Sequence, residues 1–548
     1  MKESNDILTL FEHLSSHEVF TPPRIAKDLL ALIPKDVWND PNTTVLDPCA
    51  KSGVFLREAM YLLIEGLRGK GLHQASDGET YDLNDPKQLM KHILKNMLFG
   101  IATSEVTGYF SRRTLYGVME ASTDKQTALI DALQNSKSNR EWSEDKKLDS
   151  ILRNNFNEYY DHNIFNTPDY QGYEHEGNIF YPRDEVQKKV VEEGSYEIEE
   201  TYYPFIRADT EHAKIQSIRS GEMKFDVIIG NPPYQINTSA HSKQAKPIYH
   251  LFVEQAISMM PRYISMITPS RWFTAGMGLT NFRREMISDK RIASIYDFPN
   301  SKDCFSGVSV SGGVNYFLWD KLHDNTCLFT SCTSKSKETF QNTLDQFPIV
   351  VRYNEAKHII GRVAASTYPL LSSYVSPINV FNLSSSFRGA ARLSPSADIK
   401  ITHSKGVGFA SRAELKDSSG LVDKYKVVVS RTVAEHANEP AKDGTFKVLS
   451  KVLLLPPGEA CTHSYLVVGA FDDLHSAELF KSILYTKTAR YLILQTLTGI
   501  DLSRERFCFV PFINEGELMD DEKMYSTLKL SKESISVIER LIRPMAAQ

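Results

Sequence analysis

Paired cysteines are missing from this 548-residue chain. Its six cysteines (Cys49, Cys304, Cys327, Cys332, Cys461 and Cys508) are scattered with no CxxC pair. That excludes a zinc ribbon or a disulfide framework and leaves reduced, structural thiols. Long apolar runs are missing too: none approaches the ~18–20 residues that cross a bilayer. The first twenty residues are polar and helical in pattern, without the apolar core of a signal peptide, so a cytoplasmic protein is expected. Strong charge of either sign is also absent. The formal net charge of -5 rules out a general basic coat for nucleic acid. There are no internal repeats.

What charge there is lies unevenly. Residues 352–451 hold 15 Lys+Arg against 8 Asp+Glu, a local +7 that leaves -12 for the remainder. A basic segment of this kind points to a polyanion or to a solvated surface. The length exceeds one ordinary core, and 41% apolar with 24% charged residues is the composition of a globular protein.

Strand-like and helical patterns alternate through the first 320 residues or so. "TTVLDP" leads into "GVFLREAMYLLIEGL", which has helical apolar spacing. "NMLFGI" is a second strand candidate. "FDVIIG" is followed by the helical "IYHLFVEQAISMM" and the strand-like "RYISMITP". "RIASIYDF" and "GGVNYFLWD" complete the series. This alternation predicts an α/β fold, a parallel, doubly wound sheet, whose ligands bind at the carboxyl ends of the strands. The polar stretch from about 106 to 224 fits as a helical or loop-rich insertion. Residues 326–350 read as a connector. Residues 351–548 alternate short strands with Ser/Gly-rich turns and at least two late helices, "DLHSAELFKSILYTKTARYLILQTL" and "SKESISVIERLIRPM", which predicts a separate α+β domain.

The most informative stretch is "FDVIIGNPPYQ", residues 225–235. Two prolines stop the strand, since neither donates to a ladder. They hold the Asn231 amide, the Pro232 carbonyl and the Tyr234 ring in fixed relation just past the strand's carboxyl end. Pro233 completes the rigid turn. The two carbonyl oxygens suit the two N–H donors of an exocyclic amino group, and the Tyr234 ring suits stacking on a base. A bare strand-ending turn is the competing reading for the tetrapeptide alone.

With "VLDPCAKSGVFLREA" before it and "KPIYHLFVEQAISMM", "ITPSRWF" and "DCFSGVSVSGGVNYFLW" after it, this stretch resembles the S-adenosylmethionine-dependent amino-methyltransferases. The order of landmarks resembles the gamma-class DNA adenine-N6 methyltransferases of restriction–modification systems. The resemblance implies a Rossmann-like methyltransferase domain over 1–325 and a target-recognition domain over 351–548. It also implies Asn231, Pro232, Pro233 and Tyr234 as the catalytic clamp and Phe305 as the second face of the base sandwich. Cofactor contacts carry over to Thr21 in "HEVFTPPRIAKDLLALIP", where a Thr-Pro segment caps a helix, and to Asp47, Pro48, Lys51 and Gly53. Lys51 stands where the family has glycine. Ala102 stands where the family has the acid that grips the ribose, so nearby Glu105 is the candidate, with Thr103 and Ser104 as alternatives. Asp209 is the candidate for the cofactor's adenine, and Phe252 for the pocket wall. Lys481, Lys487 and Arg490, spaced along one helical pattern, are candidates for DNA phosphates.

The implied activity is methylation of adenine N6 in duplex DNA by base flipping, with DNA between the two domains. The implied partners are DNA and, for any cleavage, a separate nuclease chain. Two alternatives remain open on the sequence. One is a methyltransferase for another amino group (cytosine N4, an RNA adenine or a protein glutamine). The other is a non-catalytic relic that binds DNA or a nuclease.

Overall fold

The computed structural model describes residues 21–102, 111, 114, 179–180, 224–237, 245–274, 276, 278–305, 309–334, 336–435 and 440–545. The chain divides into two compact units. The first holds residues 1–310, 314–335 and 341–343, and the second holds 311–313, 336–340 and 344–548. Thr103, Ser104, Glu105 and Asp209, and nearly all of the 106–224 stretch, lie outside the described residues, as does the side chain of Ala102.

The first unit is built on one sheet. Its strands, in chain order, are β1 (Val45–Ala50), β2 (Leu98–Ala102), β3 (Ile179–Phe180), β4 (Val227–Gly230), β5 (Tyr263–Pro269), β6 (Ile292–Phe298), β7 (Val314–Asp320) and β8 (Cys327–Cys332). These eight of the sheet's nine strands run β8-β6-β7-β5-β4-β1-β2-β3 in space. β1 pairs in parallel with both β2 and β4, and β4 pairs in parallel with β5. All six residues of β1 are buried, as expected of a central strand covered on both faces. Pro48 cannot donate to the ladder, and the register between β1 and β2 shifts between Asp47 and Ala50. β4 is equally buried. Where the two strands begin, Asp226 accepts from the Thr44 N–H at 3.0 Å and donates its own N–H to the Thr44 carbonyl at 3.0 Å.

The sheet departs from the sequence reading in three places. β7 is antiparallel to both β5 and β6, so the sheet is mixed. Among its described residues the link from β6 to β7 carries only the short 3₁₀ turn Ser301–Asp303. Without a crossover helix, the chain returns in the reverse direction. The expected connector contains β8, which pairs in parallel with β6. The polar insertion contributes β3, paired in parallel with β2. Helices α1 (Pro23–Leu30), α2 (Val54–Leu67), α3 (Tyr249–Ser258) and α4 (Thr280–Ser288) belong to the same unit, as does a shorter helix at Pro86–His92. Ile25, Leu29, Val54, Ala59 and Leu63 pack with β1 and β4 residues in one apolar cluster.

The second unit contains α5 (Asn354–Ala364), strands β9 (Ile399–His403), β10 (Gly406–Ala410), β11 (Tyr425–Ser430), β12 (Val452–Leu455), β13 (Glu459–Cys461) and β14 (Tyr465–Phe471), and helices α6 (Leu474–Tyr485), α7 (Lys487–Gln495), α8 (Asp521–Thr527) and α9 (Lys532–Leu541). Two three-stranded sheets run β10-β9-β13 and β12-β11-β14, an α+β arrangement. The long helical run of the sequence is two helices rather than one. Thr486 leaves the helix with ψ of 145°, and its hydroxyl caps α7 by accepting from the Ala489 N–H at 3.2 Å.

That break changes the reading of the three basic residues. Arg490 is fully buried, with its guanidinium donating to the carbonyls of Tyr485, Thr486, Lys447 and Arg543 at 2.8–3.3 Å. Lys487 is ion-paired with Glu539. Lys481 sits on α6, its ammonium over the Tyr485 ring. Arg490 is thus a structural clamp, not a phosphate contact, and the three do not share one helix. Arg490→Ala should cost about 2–4 kcal/mol in urea unfolding, because four buried or half-buried carbonyls lose their donor. Lys481→Ala should stay within about 0.5 kcal/mol of wild type.

Candidate active site

The site follows from which strands are neighbours. β1 and β4 lie side by side and parallel, so their carboxyl ends deliver two loops to one place. The chain turns to opposite sides of this pair, with β2 beyond β1 and β5 beyond β4. That is the switch point where open α/β sheets bind ligands. A cleft there is lined by Thr21, Asp47, Cys49, Lys51, Gly53 and Asn231, among others.

Gly230 sets how closely the loops approach. A Cβ at this position would lie 2.9 Å from Asp47 Oδ1 and 2.9 Å from Cys49 Sγ, so a side chain would push the two loops apart. The next residue, Asn231, is buried. Its amide nitrogen donates to Thr21 Oγ1 at 3.1 Å. With the NH₂ end held by Thr21, the carbonyl oxygen is the end of the amide turned to other donors. Thr21 does not cap α1 as the sequence implied. Pro22 occupies the cap position, no side chain caps the helix, and the Thr21 hydroxyl serves Asn231 instead. Beyond the prolines, the Tyr234 carbonyl accepts from the Ile248 N–H at 3.2 Å, tying the turn to the start of α3.

Tyr234 and Phe305 are both buried in the apolar cluster of the first unit. Burial pushes the Tyr234 phenol well above its ordinary range, so the ring is neutral. The Phe305 N–H donates to the Ser301 carbonyl at 2.8 Å. Phe252 is buried on α3 and is not among the residues lining the cleft; nor is Pro48, which stays within β1.

On the other loop Gly53 takes a left-handed conformation, φ 73°, and opens α2 without a side-chain cap. A Cβ here would meet the Ser111 backbone at 2.8 Å, so both φ and space call for glycine. Ser111 Oγ donates to the Lys51 carbonyl at 3.2 Å, fixing the loop. The cleft therefore offers uncapped helix N–H groups, a buried lysine and a buried carboxyl group, Asp47. Asp47 accepts from the Cys49 N–H at 3.1 Å. Cys49 and Ser111 escaped the sequence reading. Cys49 was visible in "DPCAKSG", whereas Ser111 is 58 residues beyond Gly53 in the chain and gave no local signal.

Burial pushes the Asp47 carboxyl up to about 7. Below the ordinary carboxyl range both folded and unfolded chains hold this proton. From there up to about 7 only the folded chain holds it, so this group's contribution to stability falls as pH rises through that window. Asp47→Asn removes the dependence. The stability of the variant relative to wild type should therefore grow from pH 5 to pH 8, by about 1–3 kcal/mol. Urea unfolding at the two pH values measures this, and a gap independent of pH would contradict the buried, protonated carboxyl.

The family described as the Eco57I restriction-modification methylase matches residues 96–305. A relative from Mycoplasma pneumoniae (strain ATCC 29342 / M129 / Subtype 1), described as an uncharacterized adenine-specific methylase, is 32% identical over 372 residues, which is 66% of this chain and 81% of the relative. Among solved structures, the DrdV–DNA complex matches with a TM-score of 0.43 and 11% identity over 91% of this chain and 56% of that one. The type IIL restriction-modification enzyme MmeI in complex with DNA matches with a TM-score of 0.43 and 10% identity over 93% of this chain and 67% of that one. The chain spans 47–56% of the first three solved chains it matches. With 32% identity across four fifths of the Mycoplasma relative, this chain belongs to the adenine-specific methylases of the restriction-modification type.

Proposed function

We propose that this protein transfers a methyl group from S-adenosylmethionine to N6 of adenine in double-stranded DNA. The observation that carries this reading is the meeting, in one cleft, of the Asn231 amide oriented by Thr21 with the Asp47–Gly53 loop.

The residues of that loop fit an amino-acid moiety of the kind this cofactor carries. The uncapped N-terminus of α2 and the Lys51 ammonium suit a carboxylate, and Asp47 suits an ammonium group. When bound, S-adenosylmethionine supplies an electrophilic methyl on its sulfonium sulfur. Everything else falls to the chain. Asn231 accepts one hydrogen of the adenine amino group through its side-chain oxygen, and the Pro232 carbonyl accepts the other. Accepting both hydrogens localises the nitrogen lone pair for attack, and the proton leaves after the bond to the methyl has formed. No strong general base is needed. The gain comes from holding two reactants in line. The adenine reaches the site by leaving the duplex stack, and Tyr234 offers its ring to the base. Thr21 is a positioning residue: it touches neither reactant in this role but fixes which end of the Asn231 amide faces the base.

Purified protein, a duplex oligonucleotide and the cofactor test this, with N6-methyladenine read by mass spectrometry of the digested product. Asn231→Ala should lower kcat by roughly 100-fold or more. Thr21→Val should lower kcat by roughly 10-fold, the worth of one buried hydrogen bond, at an unchanged cofactor Kd, and Thr21→Ser should restore it. A Thr21→Val variant with weaker cofactor binding and wild-type kcat would instead make Thr21 a cofactor contact only.

A further inference from the structure

Lys51 stands where the methyltransferases that this chain resembles have glycine, and the larger residue changes the cleft. It is buried, with 6% of its surface exposed, and it lines the cleft together with Asp47, Cys49, Ser52, Gly53 and Asn231. Four methylenes and an ammonium group take space that glycine would leave open. The cleft these residues line has a volume of about 10 Å³, room for about one water molecule. An amino-acid group, with its carboxylate, its ammonium and the carbons between them, does not fit in that space.

The loop cannot make room by backing away. Ser111 Oγ donates to the Lys51 carbonyl at 3.2 Å. Two residues on, Gly53 lies so close to the Ser111 backbone that a Cβ would sit 2.8 Å from it. The main chain from 51 to 53 is therefore pinned. What can move is the Lys51 side chain, on its flexible four-carbon stem.

Charge decides which ligand moves it. Burial is the largest influence on the Asp47 carboxyl and raises it, while the hydrogen bonds from Cys49 and the Lys51 ammonium pull it back. The Cys49 thiol, also raised chiefly by burial, is pulled down by Lys51 as well. The Lys51 ammonium thus serves Asp47 as a counter-charge, which is the place that the ammonium of an amino-acid group would take. A neutral ligand that pushes Lys51 aside leaves Asp47 buried without that counter-charge. An anion draws Lys51 off and sets a second negative charge near Asp47, and a cation meets Lys51 head on. Only a zwitterion replaces what it removes. Its ammonium goes beside Asp47, and its carboxylate goes to Lys51 and the uncapped N–H groups of α2.

We propose that Lys51 closes the amino-acid end of the cleft and yields it to a zwitterionic amino-acid group, its ammonium passing from Asp47 to the ligand's carboxylate as the ligand's ammonium takes its place. Lys51 is in this role a specificity residue for the cofactor, and the proposal rests on the reading of the protein as an S-adenosylmethionine-dependent methylase.

Calorimetric titration of the full chain tests this with two ligands that share a thioether nucleoside. S-adenosylhomocysteine carries the zwitterionic group, and methylthioadenosine ends in a methyl group instead. Wild type should prefer the first roughly 100-fold or more, the worth of two charge-assisted contacts. Lys51→Gly should bind methylthioadenosine roughly 10-fold more tightly than wild type does, and the preference should fall by at least that factor. Lys51→Ala should do the same, which separates removal of the side chain from loosening of the loop by a second glycine. Methylthioadenosine affinity unchanged in both variants overturns the closure, and with weaker S-adenosylhomocysteine binding it makes Lys51 a plain carboxylate contact. Wild type that binds both ligands equally well overturns this proposal and leaves the cofactor reading in place. Wild type that binds neither overturns the two together.

Discussion

The parallel pairing of β1 with β4 is the constraint on which the site depends. Each strand alone ends in an ordinary-looking loop. Side by side, with Val45 opposite Val227 and Leu46 opposite Ile228, they bring Asp47 and Asn231 into one cleft. Gly230 is what makes the approach close enough, since any larger residue would collide with Asp47 and Cys49. The Asp226–Thr44 hydrogen bonds at the other end of the pair hold the register that this closeness demands. A slip of one residue would turn every side chain of β4 to the opposite face.

That closeness has a thermodynamic consequence. Asp47 is buried and its carboxyl is pushed up to about 7, so near neutral pH the folded chain holds a carboxylate at a disadvantage. A cationic partner in the cleft would relieve it. Groups that weaken a fold while readying it for a ligand are found at functional sites. Burial also lowers the Arg490 guanidinium, to about 10, but it stays charged at neutral pH, its hydrogens are accepted by four carbonyls, and its role is to hold α7 to the chain around it.

Most of the first unit's strands were legible because each is a short apolar run closed by turn residues. The NPPY turn was legible because proline leaves so few backbone options. The parts that escaped share a cause. The orientation of Asn231 comes from Thr21, 210 residues away, and the fit of Gly53 comes from Ser111; local pattern carries no trace of either. The direction of β7 depends on the lack of a crossover helix before it, not on its own residues. β8 hid among Ser, Lys and Thr. Arg490 was misread because helical spacing places side chains around an axis but does not say which way the helix faces. Thr486, which ends α6 and caps α7, turned one expected face into two helices. The resemblance to a methyltransferase family supplied the roles, and the geometry reassigned Thr21 from helix cap to partner of Asn231.

The most direct measurement is modification-sensitive sequencing of DNA from cells expressing the wild-type chain or its Asn231→Ala variant. Adenine N6 marks concentrated at one motif in the first and absent from the second are what this account requires. Marks that persist at the same motif with Asn231→Ala would contradict it, because the amide at the end of β4 would then not be the group that presents the adenine for transfer.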